Sequence, residues 1–178
     1  MTEGRPFSRV ARVDAIPREG QIVTIEAAPA EREALASSYD LPAVAALTAT
    51  LRLEPWGRGG AHVTGAVHGA LTQICVVSLE PFPAIVDEAV DVRFAPEAAA
   101  EPRPQPAKET TLSLAEEDEP DPVIDGKIDL GALTAEFFAL GLDPYPRKPG
   151  ASFEESTESA PVDSPFSTLA KRVKPESD

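Results

Sequence analysis

The sequence has few of the residues from which disulfides, metal sites and many catalytic sites are built. It contains one cysteine, two histidines, one methionine and one tryptophan among 178 residues. A single cysteine cannot form an internal disulfide, which agrees with a reducing compartment. No apolar run is long enough for a membrane helix, and the first residues lack the apolar core of a signal peptide. We therefore expect a cytoplasmic protein that makes no membrane contact.

The motifs of common enzyme classes are also missing. The chain contains no Gly-x-Ser-x-Gly motif, no phosphate-binding loop and no paired-carboxylate motif. Its 30 acidic residues are abundant, but abundance without a spacing rule does not indicate acid–base catalysis. We predict a non-enzymatic protein with no catalytic residue, no metal, no cofactor and no small-molecule substrate.

Negative charge dominates, and it is spread unevenly. The formal net charge is −14, of which −4 falls in residues 1–96 and −10 in residues 97–178. Phosphate repels such a chain at long range, which argues against broad, non-specific binding to nucleic acid. The 19 prolines are about twice the average share. Part of the chain is therefore expected to lack a packed structure.

Alternating apolar and polar residues predict a sheet in the first half of the chain. The pattern predicts a hairpin with strands over residues 43–53 and 63–67 and a glycine-rich turn at residues 57–60. It further predicts a central strand over residues 71–79 and another over 85–94, separated by Pro81 and Pro83. Shorter strands are expected over residues 9–13 and 21–26, and a helix over 29–39.

A second helix is predicted over residues 129–142. Leu130, Leu133, Phe137 and Leu140 form one apolar stripe, and Asp129 is placed to cap the first turn. Three prolines follow Gly141, at positions 144, 146 and 149, and they cannot continue the helix. The helix is therefore expected to dock on the sheet and to present a stiff cationic loop outward.

These patterns together predict an α+β fold. We expect an antiparallel sheet, either open or barrel-like, packed by one or two helices, with an acidic loop and a disordered C-terminal tail. The predicted segments are a β-rich body (1–95), a proline- and alanine-rich loop or linker (96–110), an acidic segment with the helix and basic turn in the same domain (111–150), and a largely disordered tail with a short terminal helix (151–178). The acidic cluster at residues 116–121 is interpreted as solvated charge, with cation binding or RNA mimicry as the alternatives.

Tyr145, Arg147 and Lys148 are the strongest candidates for a binding site. An aromatic ring, a guanidinium and an ammonium on one stiff loop suit one phosphate and one stacked base. In the alternative interpretation, Arg147 pairs with a nearby carboxylate such as Asp143 and only fixes the turn. Both interpretations are consistent with the sequence.

The C-terminal segment supplies further candidates. Phe166 and Leu169 can anchor a short helix to the body or to a partner, and Lys171 and Arg172 can complement the helix dipole or contact RNA. Cys75 is expected to be a small hydrophobe on a buried strand. His62 and His68 are expected at the surface, too far apart on an extended strand to share a metal.

Three sequence blocks resemble the bacterial YceD family. They are CVVSLEPF at residues 75–82, DGKIDLGALTAEFFALGLDPYPRKPG at residues 125–150 and PFSTLAKRVK at residues 165–174. The resemblance implies a role in the accumulation of large-subunit (23S) ribosomal RNA, with precursor ribosomal RNA or a pre-ribosomal protein as partner. Many members have a second cysteine where this chain has Ser78, so the resemblance implies no metal or redox role here.

Two functions follow as hypotheses. The first is a non-enzymatic accessory factor that supports synthesis, processing or accumulation of large-subunit ribosomal RNA, which is what the resemblance implies. The alternative is an acidic adaptor that recruits an RNA-processing enzyme or a ribosomal protein without contacting RNA itself.

Overall fold

Three long strands joined in sequence form the largest part of the protein. The computed structural model describes residues 5–96 and 119–152. The strands are β1 (Val10–Arg12), β2 (Gln21–Glu26), β3 (Ala43–Trp56), β4 (Gly60–Ile74), β5 (Pro81–Pro96), β6 (Asp121–Val123) and β7 (Lys127–Asp129). The helices are α1 (Pro29–Ser38) and α2 (Leu130–Leu140), and a short 3₁₀ turn covers Val13–Ala15. In the described ranges, neither α-helix is long and apolar enough to cross a membrane.

Five of the strands form one open sheet in the order β2-β3-β4-β5-β6. All neighbours are antiparallel except β5 and β6, which pair in parallel through Phe94–Pro96 and Asp121–Val123. β1 and β7 form a separate two-stranded antiparallel sheet. The predicted α+β class is confirmed, and the barrel-like version is wrong because β2 and β6 lie at opposite edges of the sheet.

The β3–β4 hairpin follows from the alternation seen in the sequence. Leu47, Ala49, Leu51 and Leu53 are buried on one face, whereas Thr50 and Arg52 are exposed on the other. Gly57 and Gly59 have positive φ angles of 57° and 77° in the connecting turn, a conformation that favours glycine. The predicted hairpin is confirmed, and both of its strands are longer than predicted.

The predicted strand over residues 71–79 is wrong. β4 runs without a break from Gly60 to Ile74, and residues 75–80 turn back into β5. Pro81 and Pro83 belong to β5 instead of interrupting the chain before it. The missing N–H groups are tolerated because, in the described structure, that part of β5 pairs with β4 alone and is an edge strand.

The face that α2 packs on the sheet differs in part from the predicted one, since Leu130 and Leu133 are buried as predicted. Phe138 is fully buried, Phe137 is only partly buried, and Leu140 is 71% exposed. A Cβ added to Gly69 of β4 would lie 2.5 Å from the ring of Phe138, so the ring rests directly on that glycine. Leu130, Leu133 and Phe138 therefore form the buried stripe, and Leu140 lies outside it.

Asp129 fixes the start of α2, as the sequence predicts. Its Oδ1 accepts hydrogen bonds from the N–H groups of Gly131 and Ala132, both at 3.1 Å, and from the N–H of Arg9 at 2.8 Å. Burial would raise the pKa of this carboxyl, but the hydrogen bonds lower it below its usual value. The helix is thus tied to the N-terminal segment as well as to the sheet.

Candidate binding surface at the β4–β5 turn

The loop after α2 is ordered by its own hydrogen bonds. The Oδ1 atom of Asp143 accepts from the N–H of Tyr145 at 2.8 Å, and the Lys148 carbonyl accepts from the N–H of Ala151 at 3.0 Å. Such local bonds, together with the prolines between them, leave the backbone little freedom. The predicted stiff loop is therefore a feature of the structure.

The β4–β5 turn is equally well defined. The N–H of Cys75 donates to the Glu80 carbonyl and the N–H of Leu79 donates to the Cys75 carbonyl, both at 2.9 Å. Leu79 has a φ of 58°, in the left-handed region that non-glycine residues seldom adopt. Its side chain is 75% exposed. The turn therefore holds a strained residue with its apolar side chain in solvent.

Three contacts join the loop to the turn. The Nε2 atom of Gln73 donates to the Asp143 carbonyl at 3.1 Å, and the N–H of Val76 donates to the Pro146 carbonyl at 2.9 Å. The Nζ atom of Lys148 lies 2.8 Å from Oε2 of Glu80. Residues 73–80 and 143–148 are thereby held as one unit, which we call the turn–loop surface.

The two cations of this surface have different surroundings. Lys148 is paired with Glu80, and the hydrogen bond between them raises the pKa of Lys148 and lowers that of Glu80. Arg147 is exposed, and it has no hydrogen bond or ion pair with any residue of the described ranges. The predicted alternative, a pair between Arg147 and Asp143, is not formed. The fixing role belongs to Lys148.

Tyr145 lies two residues before Arg147 in the loop, and 73% of its surface is exposed. Its ring and the guanidinium are the groups of the loop that offer an aromatic face and a mobile positive charge to a ligand. Lys148 is 45% exposed despite its pairing, so a phosphate can still approach its ammonium. The three predicted residues are all exposed on this loop.

The turn–loop surface also has an apolar part that sequence reasoning missed. Ile74 and Val76 are 41% and 44% exposed, and they flank the turn that carries Leu79. The sequence prediction placed these residues on a buried strand because an apolar run resembles one. Ser78 followed by Pro81 was the available signal for a turn at this position.

Cys75 has a more specific role than a small hydrophobe. It is fully buried, as predicted, but it lies in the turn and not on a strand. Its Sγ atom accepts from the N–H groups of Val77 and Ser78, both at 3.4 Å. Hydrogen bonds from the Ser78 hydroxyl and N–H outweigh burial and lower the pKa of the thiol to about 6. The sulfur is therefore a hydrogen-bond acceptor that stabilises the turn.

The remaining predicted residues lie elsewhere. His62 and His68 are surface residues of β4 and pair with Asp91 at 2.7 Å and Asp87 at 2.6 Å. No group of three or more potential metal ligands occurs in residues 5–96 or 119–152. The other predictions fall outside the described residues: Phe166, Leu169, Lys171 and Arg172, the linker after residue 96, and residues 116–118 of the acidic cluster.

Comparisons with known proteins add one match. The family model described as "Large ribosomal RNA subunit accumulation protein YceD" matches residues 63–172. No curated protein and no solved structure matches the chain. The matched segment includes most of β4, the whole turn–loop surface and α2, and it extends 20 residues beyond the last described one.

Proposed function

Because the chain belongs to the YceD family of large ribosomal RNA subunit accumulation proteins, we propose that it is a non-enzymatic accessory factor in ribosome biogenesis. The family ties the chain to the accumulation of large-subunit ribosomal RNA. In our proposal, the protein binds precursor large-subunit ribosomal RNA through the turn–loop surface. It thereby supports synthesis, processing or accumulation of that RNA.

The observation that carries this proposal is the exposed pair of Tyr145 and Arg147 on a loop that is already ordered. A ring and a guanidinium can stack on an unpaired base and contact a phosphate, which is how proteins commonly recognise single-stranded RNA. The contacts of Gln73, Val76 and Lys148 fix the loop before any ligand arrives. Binding then costs little ordering of the backbone.

The net charge of −14 restricts the kind of RNA contact that is possible. Phosphate is repelled at long range, so a broad electrostatic interface is unfavourable. A small site with one or two phosphate contacts, aided by stacking, avoids most of this repulsion because ions screen charges beyond about 8 Å at physiological ionic strength. We therefore propose a local, salt-sensitive contact.

A second candidate function is supported by the exposed apolar side chains of Val76 and Leu79. Apolar residues held in solvent by a strained turn are typical of protein–protein contacts. In this version the protein is an adaptor that brings an RNA-processing enzyme or a ribosomal protein to the RNA and has no RNA contact of its own. A basic partner would also suit the acidic chain.

Capture of partners from lysate, with and without ribonuclease, separates the two functions. The tagged full-length protein is compared with a Tyr145→Ala/Arg147→Ala variant and a Val76→Ser/Leu79→Ser variant. Direct RNA binding predicts that ribonuclease releases the partners and that the first variant captures less precursor RNA. The adaptor function predicts a ribonuclease-resistant protein partner that the second variant loses. Capture of no RNA and no ribosome-related protein would contradict both.

A further inference from the structure

An apolar groove runs along one side of α2, between the helix, the N-terminal segment at residues 5–7 and Tyr39. It has a volume of about 430 Å³. Its apolar lining includes Phe7, Tyr39, Ala132, Ala135, Ala139 and Leu140. Leu140 is 71% exposed at the end of the helix. An apolar groove of this kind, with an exposed leucine in it, is a surface that usually has a partner.

The groove is already formed, and the hydroxyl of its tyrosine is already bonded. Phe7 is 1% exposed, and the guanidinium of Arg9 lies 4.8 Å from the centre of its ring. The Tyr39 hydroxyl donates to the Ala135 carbonyl at 3.0 Å. Apart from the carboxylate of Glu136, the lining therefore offers almost no free hydrogen-bonding group. The occupant that suits them presents apolar side chains.

We propose that the occupant is the chain's own C-terminal segment, residues 165–172, which inserts Phe166 and Leu169 into the groove. The family match continues to residue 172, so this segment belongs to the same family unit as α2. The two apolar residues are three positions apart, a spacing that lets one turn of chain present both to the same surface.

The chain is long enough for this contact. Thirteen residues separate Ser152, the last described residue, from Phe166. They span up to about 43 Å when extended, whereas the whole of α2 is about 16 Å long. Because the segment is tethered, its effective concentration at the groove is on the order of millimolar. A free partner would have to compete with this tethered segment for the groove.

Charge favours the same occupant. Glu136 lies at the rim of the groove, and the segment carries Lys171 and Arg172 close to its apolar anchors. The one basic residue of the rim, Arg5, is placed 3.3 Å from Asp129. Attraction between Glu136 and this basic segment would add a favourable, screened interaction to the apolar contact. This inference does not depend on the proposed function.

Photo-crosslinking of the full-length protein tests the inference. Leu140 is replaced by a photoreactive phenylalanine analogue, and crosslinked peptides are identified by mass spectrometry. Ile22, on β2 and 66% exposed, carries the same analogue in a matched control. We expect crosslinks from position 140 to residues 165–172 within one chain, and none to that segment from position 22.

Two variants of the segment complete the test. Phe166→Ala/Leu169→Ala should lower the crosslink yield by about tenfold or more, since two buried anchors are lost. Ser167→Ala/Thr168→Ala should leave it unchanged. Crosslinks between two chains would show that a second copy occupies the groove. Crosslinks to the acidic cluster at residues 116–121 would show that this cluster occupies it. The absence of any crosslink would show that the groove is empty. Each of these three results would overturn the proposal.

Discussion

The residues of the turn–loop surface divide into those that build it and those that it presents. Lys148 is paired with Glu80, and Gln73 is bonded to the backbone of Asp143. Arg147 and Tyr145, in contrast, extend into solvent. A substitution in the first group should disturb the loop. A substitution in the second group should change binding and leave the fold intact.

Arg147→Ala should weaken RNA binding without destabilising the protein. The magnitude of the slope of log affinity against log salt should fall by about one, as expected for the loss of one phosphate contact. The free energy of unfolding should change by about 0.5 kcal/mol or less, because exposed residues outside special environments contribute little. A salt titration of RNA binding, run beside a denaturant titration, measures both quantities.

Arg58→Ala is the matched control for this experiment. Arg58 is also an exposed arginine on a turn, but it lies in the β3–β4 hairpin and not on the turn–loop surface. It has the same formal charge, so it controls for the overall electrostatic effect of losing one cation. If Arg147→Ala and the wild type have equal slopes of log affinity against log salt, Arg147 does not contact an RNA phosphate.

Cys75 should titrate near pH 6 in the folded protein. Its pKa is lowered from an ordinary value of 9.0 to about 6, with the Ser78 hydroxyl as the largest cause. A depressed folded-state pKa stabilises the fold above the unfolded pKa. This contribution is therefore complete above about pH 9, declines as the pH falls, and is lost below about pH 6. Thiolate ultraviolet absorbance should rise through pH 6.

The control variant for this titration is Ser78→Ala, which should move the pKa of Cys75 back toward its ordinary value. Denaturant titrations of wild type and Cys75→Ala should differ more at pH 9 than at pH 6. A thiolate step near pH 9 in the wild type, or a stability difference that does not depend on pH, would contradict the role assigned to the sulfur.

At the scale of elements, the docking of α2 includes one close contact between a ring and a glycine. Gly69→Ala should destabilise the protein by roughly 1–3 kcal/mol, because the added methyl overlaps the Phe138 ring. Glycine to alanine in a strand is otherwise favourable. Adding Phe138→Leu should restore part of the loss, so the double variant should be more stable than additivity predicts. Denaturant unfolding measures the cycle, and strict additivity would argue against this contact.

The sequence predicted the elements whose patterns are local. The alternation of β3 and the cap at Asp129 were sufficient to place the first hairpin and the start of α2. The β4–β5 turn was missed because Ile74, Val76 and Val77 form an apolar run that is typical of a buried strand. The turn is held in place by the loop after α2, which contacts it from about 70 residues away.

The second half of the buried face of α2 was predicted wrongly for a related reason. Phe137 and Phe138 are adjacent, and the helical period alone does not decide which of them faces the sheet. The decision is made by Gly69, whose missing side chain leaves room for a ring at position 138. The pairing of Lys148 with Glu80 was likewise invisible in the sequence, because the two residues are 68 positions apart.

At the scale of the whole molecule, an acidic chain presents a small cationic and aromatic site on a rigid sheet. Residues 1–96 contribute only −4 of the total charge of −14. The turn–loop surface joins this less acidic part to α2 and lies within the segment matched by the family. The proposed function requires that this surface, and not the overall charge, determines whether ribosomal RNA accumulates.

The most direct test is the ratio of mature large-subunit to small-subunit ribosomal RNA in growing cells that lack the protein. We predict that the ratio falls, that the wild-type protein and Arg58→Ala restore it, and that Tyr145→Ala/Arg147→Ala does not, although it folds and accumulates normally. Restoration by this last variant would exclude the loop contact while leaving the family role intact. An unchanged ratio in cells without the protein would contradict the account.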